Sequence, residues 1–206
     1  MTRIKICGIT SAEDASVAIE AGASALGLVF VPGTPRFVRL GAASRILQNL
    51  PPFVATVGVF VDQPLEEVLT VVAALKLHAV QLHGNEPEAF SRCLPVPVIK
   101  ALRVRDAESL TPIDSYPAQA FLLDAYVEGQ PGGTGTLGPW DLALQAKGRA
   151  PIILSGGLRP ENVGDAVRLV RPFAVDVSSG VERVPGRKDY RKVREFIANV
   201  RQADLD

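Results

Sequence analysis

A cysteine and an aspartate end two apolar runs of the sequence, where their side chains could exchange protons with a bound molecule. Cys7 ends the alternating run 3–7, and Asp124 follows the apolar residues 120–123. A thiol acts as a base or nucleophile when its pKa is lowered, and a carboxyl group donates a proton near neutral pH when partial burial raises its pKa. Each residue also has a structural interpretation: Cys7 as a small buried apolar residue, Asp124 as an acceptor for loop N–H groups.

Two turns rich in small residues predict an anion site. Residues 155–157 are Ser-Gly-Gly and residues 178–180 are Ser-Ser-Gly, and each turn follows an apolar run. Small residues let backbone N–H groups approach an anion, and the start of a helix adds positive potential. One such turn would indicate only a tight loop, whereas two after consecutive runs favour a phosphate site. We expect that site to be formed by Gly156, Gly157, Ser179 and Gly180.

Three further polar residues are candidates for contacts with a substrate. Arg36 lies in a rigid proline-containing segment and is either a bidentate clamp for a carboxylate or an exposed surface charge. His83 either contacts the substrate or satisfies a loop hydrogen bond, and Asp176 lies near the end of the last apolar run. Cys93 and Trp140, in contrast, are expected to be packing residues.

The elements that must position these residues are short apolar strands alternating with amphipathic helices. Alternation predicts right-handed βαβ crossovers and a parallel sheet, and eight units suggest closure into a (β/α)8 barrel. The competing architecture is an open doubly wound sheet, but the turn at residues 7–10 lacks its G-x-G-x-x-G pattern. In a barrel, active sites lie at the C-terminal ends of the strands, where the candidate residues fall. The predicted strands are near 3–7, 25–30, 54–60, 78–82, 97–102, 119–124, 151–154 and 174–177.

Several helix boundaries are also legible. Residues 10–13 fit a capping box that opens a helix ending at Gly22. Pro160 suits the first turn of a later helix, and the apolar spacing over 188–201 predicts the last one. The longest irregular stretch is 125–138, a glycine-rich segment of the kind that is usually functional or mobile.

Composition and charge argue against several classes of function. The chain has 206 residues, enough for one domain over 1–206, with 22 basic and 22 acidic residues and no long charged run. We therefore expect no nucleic-acid or membrane partner. Two cysteines in a chain of this size indicate reduced thiols and a cytoplasmic location. No His and Cys cluster has metal-ligand spacing, so no metal is expected.

Read in order, several blocks of the sequence resemble the phosphoribosylanthranilate isomerase family across the whole chain. Any one block is weakly specific, but their order is highly specific. The blocks are residues 5–10 (Lys-Ile-Cys-Gly-Ile-Thr), 27–30, 34–36, 58–61, 80–84 (Val-Gln-Leu-His-Gly), 123–124, 132–135, 154–158 (Leu-Ser-Gly-Gly-Leu) and 175–182 (Val-Asp-Val-Ser-Ser-Gly-Val-Glu).

The resemblance implies a cofactor-independent aldose–ketose isomerase of tryptophan biosynthesis on a (β/α)8 barrel. Its reaction is the Amadori rearrangement of N-(5-phosphoribosyl)anthranilate to 1-(2-carboxyphenylamino)-1-deoxyribulose 5-phosphate. By resemblance, Asp124 protonates the ring oxygen and Cys7 removes the C2 proton. Arg36 would face the anthranilate carboxylate and Asp176 would bind a ribose hydroxyl. The glycine turns would hold the phosphate, and a homodimer is possible.

The chain departs from the family at one block. After residues 132–135 the family usually continues with x-x-Phe-Asp-Trp, but Gly138 and Pro139 replace the Phe and Asp. The departure bears on how that loop closes, and Pro139 is expected to begin the next helix instead.

Related phosphate-binding barrels are the alternatives. The ribonucleotide isomerase of histidine biosynthesis uses a pair of aspartates, and Cys7 stands where the first would be. Indole-glycerol-phosphate synthase is a second alternative, and pentulose-phosphate epimerase, with metal-bound carboxylates and histidines, is a third. A non-catalytic barrel that only binds sugar phosphates is the remaining alternative, against which the intact Cys7 and Asp124 argue.

Overall fold

Eight parallel strands form a closed barrel in the computed structural model, which describes residues 1–48, 50–124 and 139–206. Each strand pairs with the next, and β8 pairs back to β1. The predicted (β/α)8 fold is confirmed, and an open sheet is excluded because the first and last strands are hydrogen-bonded to each other. The strands are β1 Arg3–Cys7, β2 Ala25–Val29, β3 Ala55–Phe60, β4 Ala79–Leu82, β5 Val98–Arg103, β6 Ala120–Asp124, β7 Ile152–Ser155 and β8 Ala174–Val177.

Helices connect the strands, with one exception to the predicted pattern. After β5 the connection is a 3-10 helix over Glu108–Asp114, which contains Pro112 and so lacks one backbone donor for an α-helix. Another short 3-10 helix, Ser179–Val181, and a hairpin of β9 Glu182–Val184 and β10 Arg187–Lys188 follow β8. The α-helices are α1 Ala12–Ala21, α2 Leu40–Leu47, α3 Leu65–Leu75, α4 Glu88–Arg92, α5 Pro139–Ala146, α6 Pro160–Val170 and α7 Tyr190–Ala203.

Most helix ends follow the local signals in the sequence. α1 ends at Gly22 with φ 106°, and α6 begins at Pro160, both as predicted. The capping box at residues 10–13 is wrong by one position, because Ser11 is the N-cap and its hydroxyl accepts from the Asp14 N–H at 3.1 Å. Helix α5 begins at Pro139, as expected. The glycine-rich stretch 125–138 and the Gly138 departure lie outside the described residues, so the single domain over 1–206 stays a prediction.

Side chains of each strand alternate between two buried layers, because successive residues of a strand face opposite sides. Ile4 of β1 packs with the helices, and Leu122 of β6 belongs to a smaller cluster inside the barrel. Lys5 and Cys7 alternate with Ile4 and so face the interior. Asp124 lies two residues beyond Leu122 on the same face of β6, at the C-terminal mouth. Because of this alternation, the side chains of Cys7 and Asp124 both face the opening at the C-terminal end of the barrel.

Among the described residues, no helix combines the length and apolar character needed to cross a membrane.

The packing of α7 gives a stability prediction. Phe196 is fully buried where α7 lies against α6 and α1, so Phe196→Ala should lower the free energy of unfolding by about 3–5 kcal/mol through lost burial and a residual cavity. Urea unfolding followed by circular dichroism measures this. Arg194→Ala, on the exposed side of the same helix, is the control and should change stability by about 0.5 kcal/mol or less. Equal effects of the two substitutions would contradict the proposed packing.

Candidate active site

One cavity of about 430 Å³ opens at the C-terminal end of the barrel. Its volume is within the usual range for small-molecule sites. All the site residues predicted from the sequence line this cavity: Cys7, Arg36, His83, Asp124, Gly156, Gly157, Asp176, Ser179 and Gly180. Gln81 and Ser155 line it as well. These residues come from strands and loops spread along the whole chain, and the parallel closed barrel brings them to one place.

Cys7 is buried at the end of β1, with 7% of its surface exposed. Burial raises the pKa of its thiol, and Asp176 raises it further, while the ammonium groups of Lys5 and Lys188 pull it down. The condition named from the sequence, a lowered thiol pKa, is not met in the free protein, because the net shift of the Cys7 pKa is upward. The backbone carbonyl of Cys7 accepts a hydrogen bond from Lys188 Nζ at 2.6 Å, which fixes the position of the strand end.

Asp124 contacts a histidine that is itself oriented by an amide. His83 Nε2 lies 3.4 Å from Asp124 Oδ2, and Gln81 Nε2 lies 3.0 Å from His83 Nδ1. Because the Gln81 amide N–H donates, His83 Nδ1 accepts, and the ring proton is placed on Nε2, facing the carboxylate. The sequence placed Gln81 with His83 at the end of the fourth strand but assigned Gln81 no role, and their spacing of two residues was the signal that the side chains could meet. The Asp124 side chain is 31% exposed and so open to the cavity.

Arg36 is held by a buried carboxylate rather than free at the surface. Its Nε and Nη2 donate to Glu182 Oε1 and Oε2 at 2.9 and 2.6 Å. Glu182 Oε1 also accepts from Lys188 Nζ at 2.9 Å. Among the described residues, Glu182 is the one acceptor bonded to the guanidinium, which leaves its remaining N–H groups for a ligand. Gly8, with φ 73°, allows this close approach, because a Cβ there would lie 2.5 Å from the Arg36 side chain.

Asp176 is also occupied by protein partners. Its Oδ1 accepts from Lys5 Nζ at 2.7 Å and its Oδ2 from Ser155 Oγ at 3.2 Å. Both members of the Lys5–Asp176 pair are buried. A contact from Asp176 to a ribose hydroxyl stays a prediction. Lys5, Glu182 and Lys188 were not singled out from the sequence, which carries no signal that distinguishes a buried charge from an exposed one.

The two glycine turns meet at the rim of the cavity. Gly156 and Gly157 adopt positive φ values of 79° and 63°, which favour glycine. The carbonyl oxygen of Leu158 lies so close to Gly180 that a Cβ there would collide with it. Asn162 Nδ2 donates to the Gly157 carbonyl at 3.0 Å and braces the first turn. Phosphate binding by these turns stays a prediction.

Two remaining sequence predictions have different outcomes. Trp140 is partly buried and packs against the core, as expected. Cys93 is exposed at the end of α4, so its assignment as a packing residue is wrong. Within the described ranges, no group of three His, Cys, Asp or Glu residues is arranged to hold a metal ion.

The pairing of Glu182 predicts a pH-dependent contribution to stability. Although burial alone would raise the pKa of Glu182, hydrogen bonds from Arg36 and Lys188 lower it. A lowered folded-state pKa gives stability that is present above the unfolded-state value and is lost as pH falls through the folded-state value. Glu182→Gln should therefore cost about 3–5 kcal/mol at neutral pH, because it leaves buried cations without their carboxylate.

Urea unfolding at several pH values measures that cost, and the difference from the parent protein should shrink as the medium is acidified. Glu161→Gln is the control, because the Arg159–Glu161 pair is exposed at 3.6 Å and should contribute about 0–1 kcal/mol. A Glu182→Gln effect that is independent of pH would show that the ion pairs do not cause it.

Comparison with known proteins identifies the family. The family model for N-(5'-phosphoribosyl)anthranilate isomerase matches residues 4–199. The chain is 54% identical over 197 residues to the N-(5'-phosphoribosyl)anthranilate isomerase of Geobacter metallireducens, covering 96% of this chain and 98% of that protein.

Solved structures agree in fold. A phosphoribosyl anthranilate isomerase in complex with reduced 1-(o-carboxyphenylamino)-1-deoxyribulose 5-phosphate superposes with a TM-score of 0.89 at 43% identity, over 98% of this chain and 100% of that one. Monomers generated from the dimeric enzyme of Thermotoga maritima give a TM-score of 0.87 at 41% identity, over 98% and 100% of the two chains. On the match to the family model and the identity to its members, this chain belongs to the N-(5'-phosphoribosyl)anthranilate isomerase family.

Proposed function

We propose that this protein catalyses the Amadori rearrangement of N-(5-phosphoribosyl)anthranilate to 1-(2-carboxyphenylamino)-1-deoxyribulose 5-phosphate in tryptophan biosynthesis, with Cys7 as base and Asp124 as acid. The observation that carries the proposal is that both residues and the two glycine turns line one and the same cavity. An aldose–ketose rearrangement needs proton delivery and removal at different atoms of one bound molecule. Membership of the family indicates the substrate, and the cavity contains a carboxyl group and a thiol that could deliver and remove the protons.

The first step opens the ribose ring. Asp124, in its protonated form, donates a proton to the ring oxygen, the C1–O bond breaks, and the anthranilate nitrogen lone pair forms an iminium at C1. The side chain is at the cavity wall and partly exposed to the cavity. His83 Nε2 is within 3.4 Å of the carboxylate and stabilises the charge that remains on Asp124 after the transfer.

The second step removes the C2 proton. Cys7, as thiolate, takes that proton, and the C2–H electron pair forms a C1=C2 double bond as the iminium nitrogen is neutralised. Tautomerisation of the resulting enolamine adds a proton at C1 and releases that of the C2 hydroxyl, giving the ketone. The iminium serves as the electron sink, so this route asks for no organic cofactor or metal. The pKa of the Cys7 thiol is raised. The reactive thiolate therefore reaches a given population only at a higher pH than the thiolate of an exposed cysteine.

Binding groups surround these two residues. Arg36, oriented by Glu182, is proposed to bind the anthranilate carboxylate through its remaining N–H groups. The turns containing Gly157 and Gly180 are proposed to bind the phosphate through backbone amides. Fixing both ends of the substrate holds the ribose against Cys7 and Asp124, which reduces the entropic cost of the reaction.

Two substitutions test the catalytic assignment. Cys7→Ser should reduce kcat by about 10²-fold or more, because a hydroxyl is a much weaker base than a thiolate, while a product analogue still binds. Asp124→Asn should be similarly impaired, since an amide does not donate the required proton. Loss of phosphoribosylanthranilate fluorescence measures turnover, and calorimetry measures binding.

Cys93→Ser is the matched control because Cys93 is the exposed thiol, and it should retain parental kcat. Near-parental turnover of Cys7→Ser would refute the role of Cys7 as base. Near-parental turnover of Asp124→Asn would mean that another group opens the ring.

We further propose that the protein forms a homodimer through the N-terminal end of its barrel. The Thermotoga maritima enzyme is described as dimeric. Several of the large exposed apolar side chains lie at that end: Phe53 and Phe173 precede β3 and β8, while Met1 precedes β1 and Leu205 follows α7. Phe53 is fully exposed and has a φ of 73°. Apolar exposure at one end of a barrel is typical of a subunit interface.

Phe53→Glu should convert dimers to monomers in sedimentation velocity, because a carboxylate at the interface would be desolvated. The control is Val184→Glu, which introduces the same charge at an exposed apolar residue in the β9–β10 hairpin beyond the opposite end of the barrel. The proposal fails if both variants and the parent sediment identically.

A further inference from the structure

Lys5 is a buried lysine beside Cys7 that the isomerisation steps above do not use. The two residues are two apart on β1, so their side chains face the same interior side. Gly27 of the neighbouring β2 leaves room for both: a Cβ there would lie 2.8 Å from Cys7 Sγ and 3.1 Å from Lys5 Cε. Both side chains therefore border the same small space beside Gly27, which brings the Lys5 ammonium near enough to the Cys7 sulfur for the two to interact electrostatically.

Barrel closure supplies Lys5 with a counter-charge. Lys5 and Asp176 are register partners between β1 and β8, and their ion pair is 2.7 Å long. Burial by itself would lower the pKa of Lys5, but the carboxylate of Asp176 and the sulfur of Cys7 outweigh it, and the net pKa is raised. Lys5 is therefore an ammonium ion held against the thiol, at a depth where charges are poorly screened by solvent.

We propose that Lys5 and Asp176 act as a positioning pair that sets how readily Cys7 releases its proton, with Lys5 favouring the thiolate and Asp176 opposing it. The proposal rests on the proposed function, in which Cys7 is the base. Cys7 lines the cavity and Lys5 does not, so Lys5 acts through Cys7.

Within the part of the chain that the structure describes, the charged groups that interact with Cys7 fit this assignment. Lys5 approaches from β1, Asp176 from β8, Lys188 from β10 and Arg36 from the loop after β2. Lys188 and Arg36 share the single carboxylate of Glu182. Among the described residues, three cations therefore act on the thiol, against Asp176 and the one carboxylate that Arg36 and Lys188 share, and this excess of positive charge suits a sulfur that must become an anion.

The two members of the pair have opposite effects, which makes the proposal testable. Removing the ammonium in Lys5→Met should raise the midpoint of the Cys7 titration, and removing the carboxylate in Asp176→Asn should lower it. Charges within a few ångströms shift such midpoints by about one unit or more. If Lys5 and Asp176 had only a structural role, there would be no reason for the two substitutions to shift the Cys7 midpoint in opposite directions.

The experiment titrates Cys7 in the free, full-length protein. Cys93→Ser leaves Cys7 as the one thiol, since the chain has two cysteines. Ultraviolet absorbance of the thiolate and the pH dependence of iodoacetamide alkylation report its midpoint, and circular dichroism checks that each variant is folded. Opposite shifts support the proposal. Shifts in the same direction, or none in either variant, overturn it.

If Lys5→Met does not fold, Asp176→Asn decides the matter: a downward shift supports the proposal, and no shift or an upward shift overturns it. Lys5→Arg, which keeps the charge, should stay near the parent midpoint. Because the titration uses no substrate, its outcome is separate from the isomerase assay. A Cys7→Ser variant that remains active would remove the proposed function while leaving the measured midpoints intact.

Discussion

Hydrogen bonding between β1 and β8 closes the barrel, and the site depends on that closure. The register places Asp176 opposite Lys5, next to Cys7 at the mouth. In an open sheet β1 and β8 would not be neighbours, and a Lys5 buried in the interior would have no carboxylate partner. Such an unpaired buried charge costs several kcal/mol, whereas the pair is stable enough to be kept in the interior. The same closure therefore completes the fold and sets the electrostatic environment of the thiol.

A second ion-pair network fixes the other side of the cavity. Glu182 joins Arg36 and Lys188, and Lys188 in turn holds the backbone carbonyl of Cys7. The proposed carboxylate clamp and the proposed base are thus parts of one connected set of buried bonds. Groups held in this way need little rearrangement when a charged substrate arrives, which is the property that makes electrostatic catalysis effective. Position 8 must be glycine, because the aliphatic part of the Arg36 side chain lies directly against it.

Much of the architecture could be predicted from the sequence. The strand predictions agree with the observed strands to within about one residue, because strands buried on both faces are apolar throughout and are bounded by polar or glycine residues. Local signals were less exact where neighbouring residues compete, as at Ser11, which caps α1 in place of the preceding threonine. The connection after β5 differs from the predicted α-helix because Pro112 favours a shorter 3-10 turn.

The sequence by itself determined which side chains share the cavity. In a parallel barrel every strand end points the same way, so a position such as Cys7 or Asp124 at the end of an apolar run is already a position at the mouth. Only the tertiary structure decided which charges are buried and with what partners, as for Lys5 and Glu182, and that burial moves the pKa of Cys7 upward. The reason is physical: desolvation and Coulomb interaction depend on distances between residues far apart in the chain, and no local pattern encodes those distances.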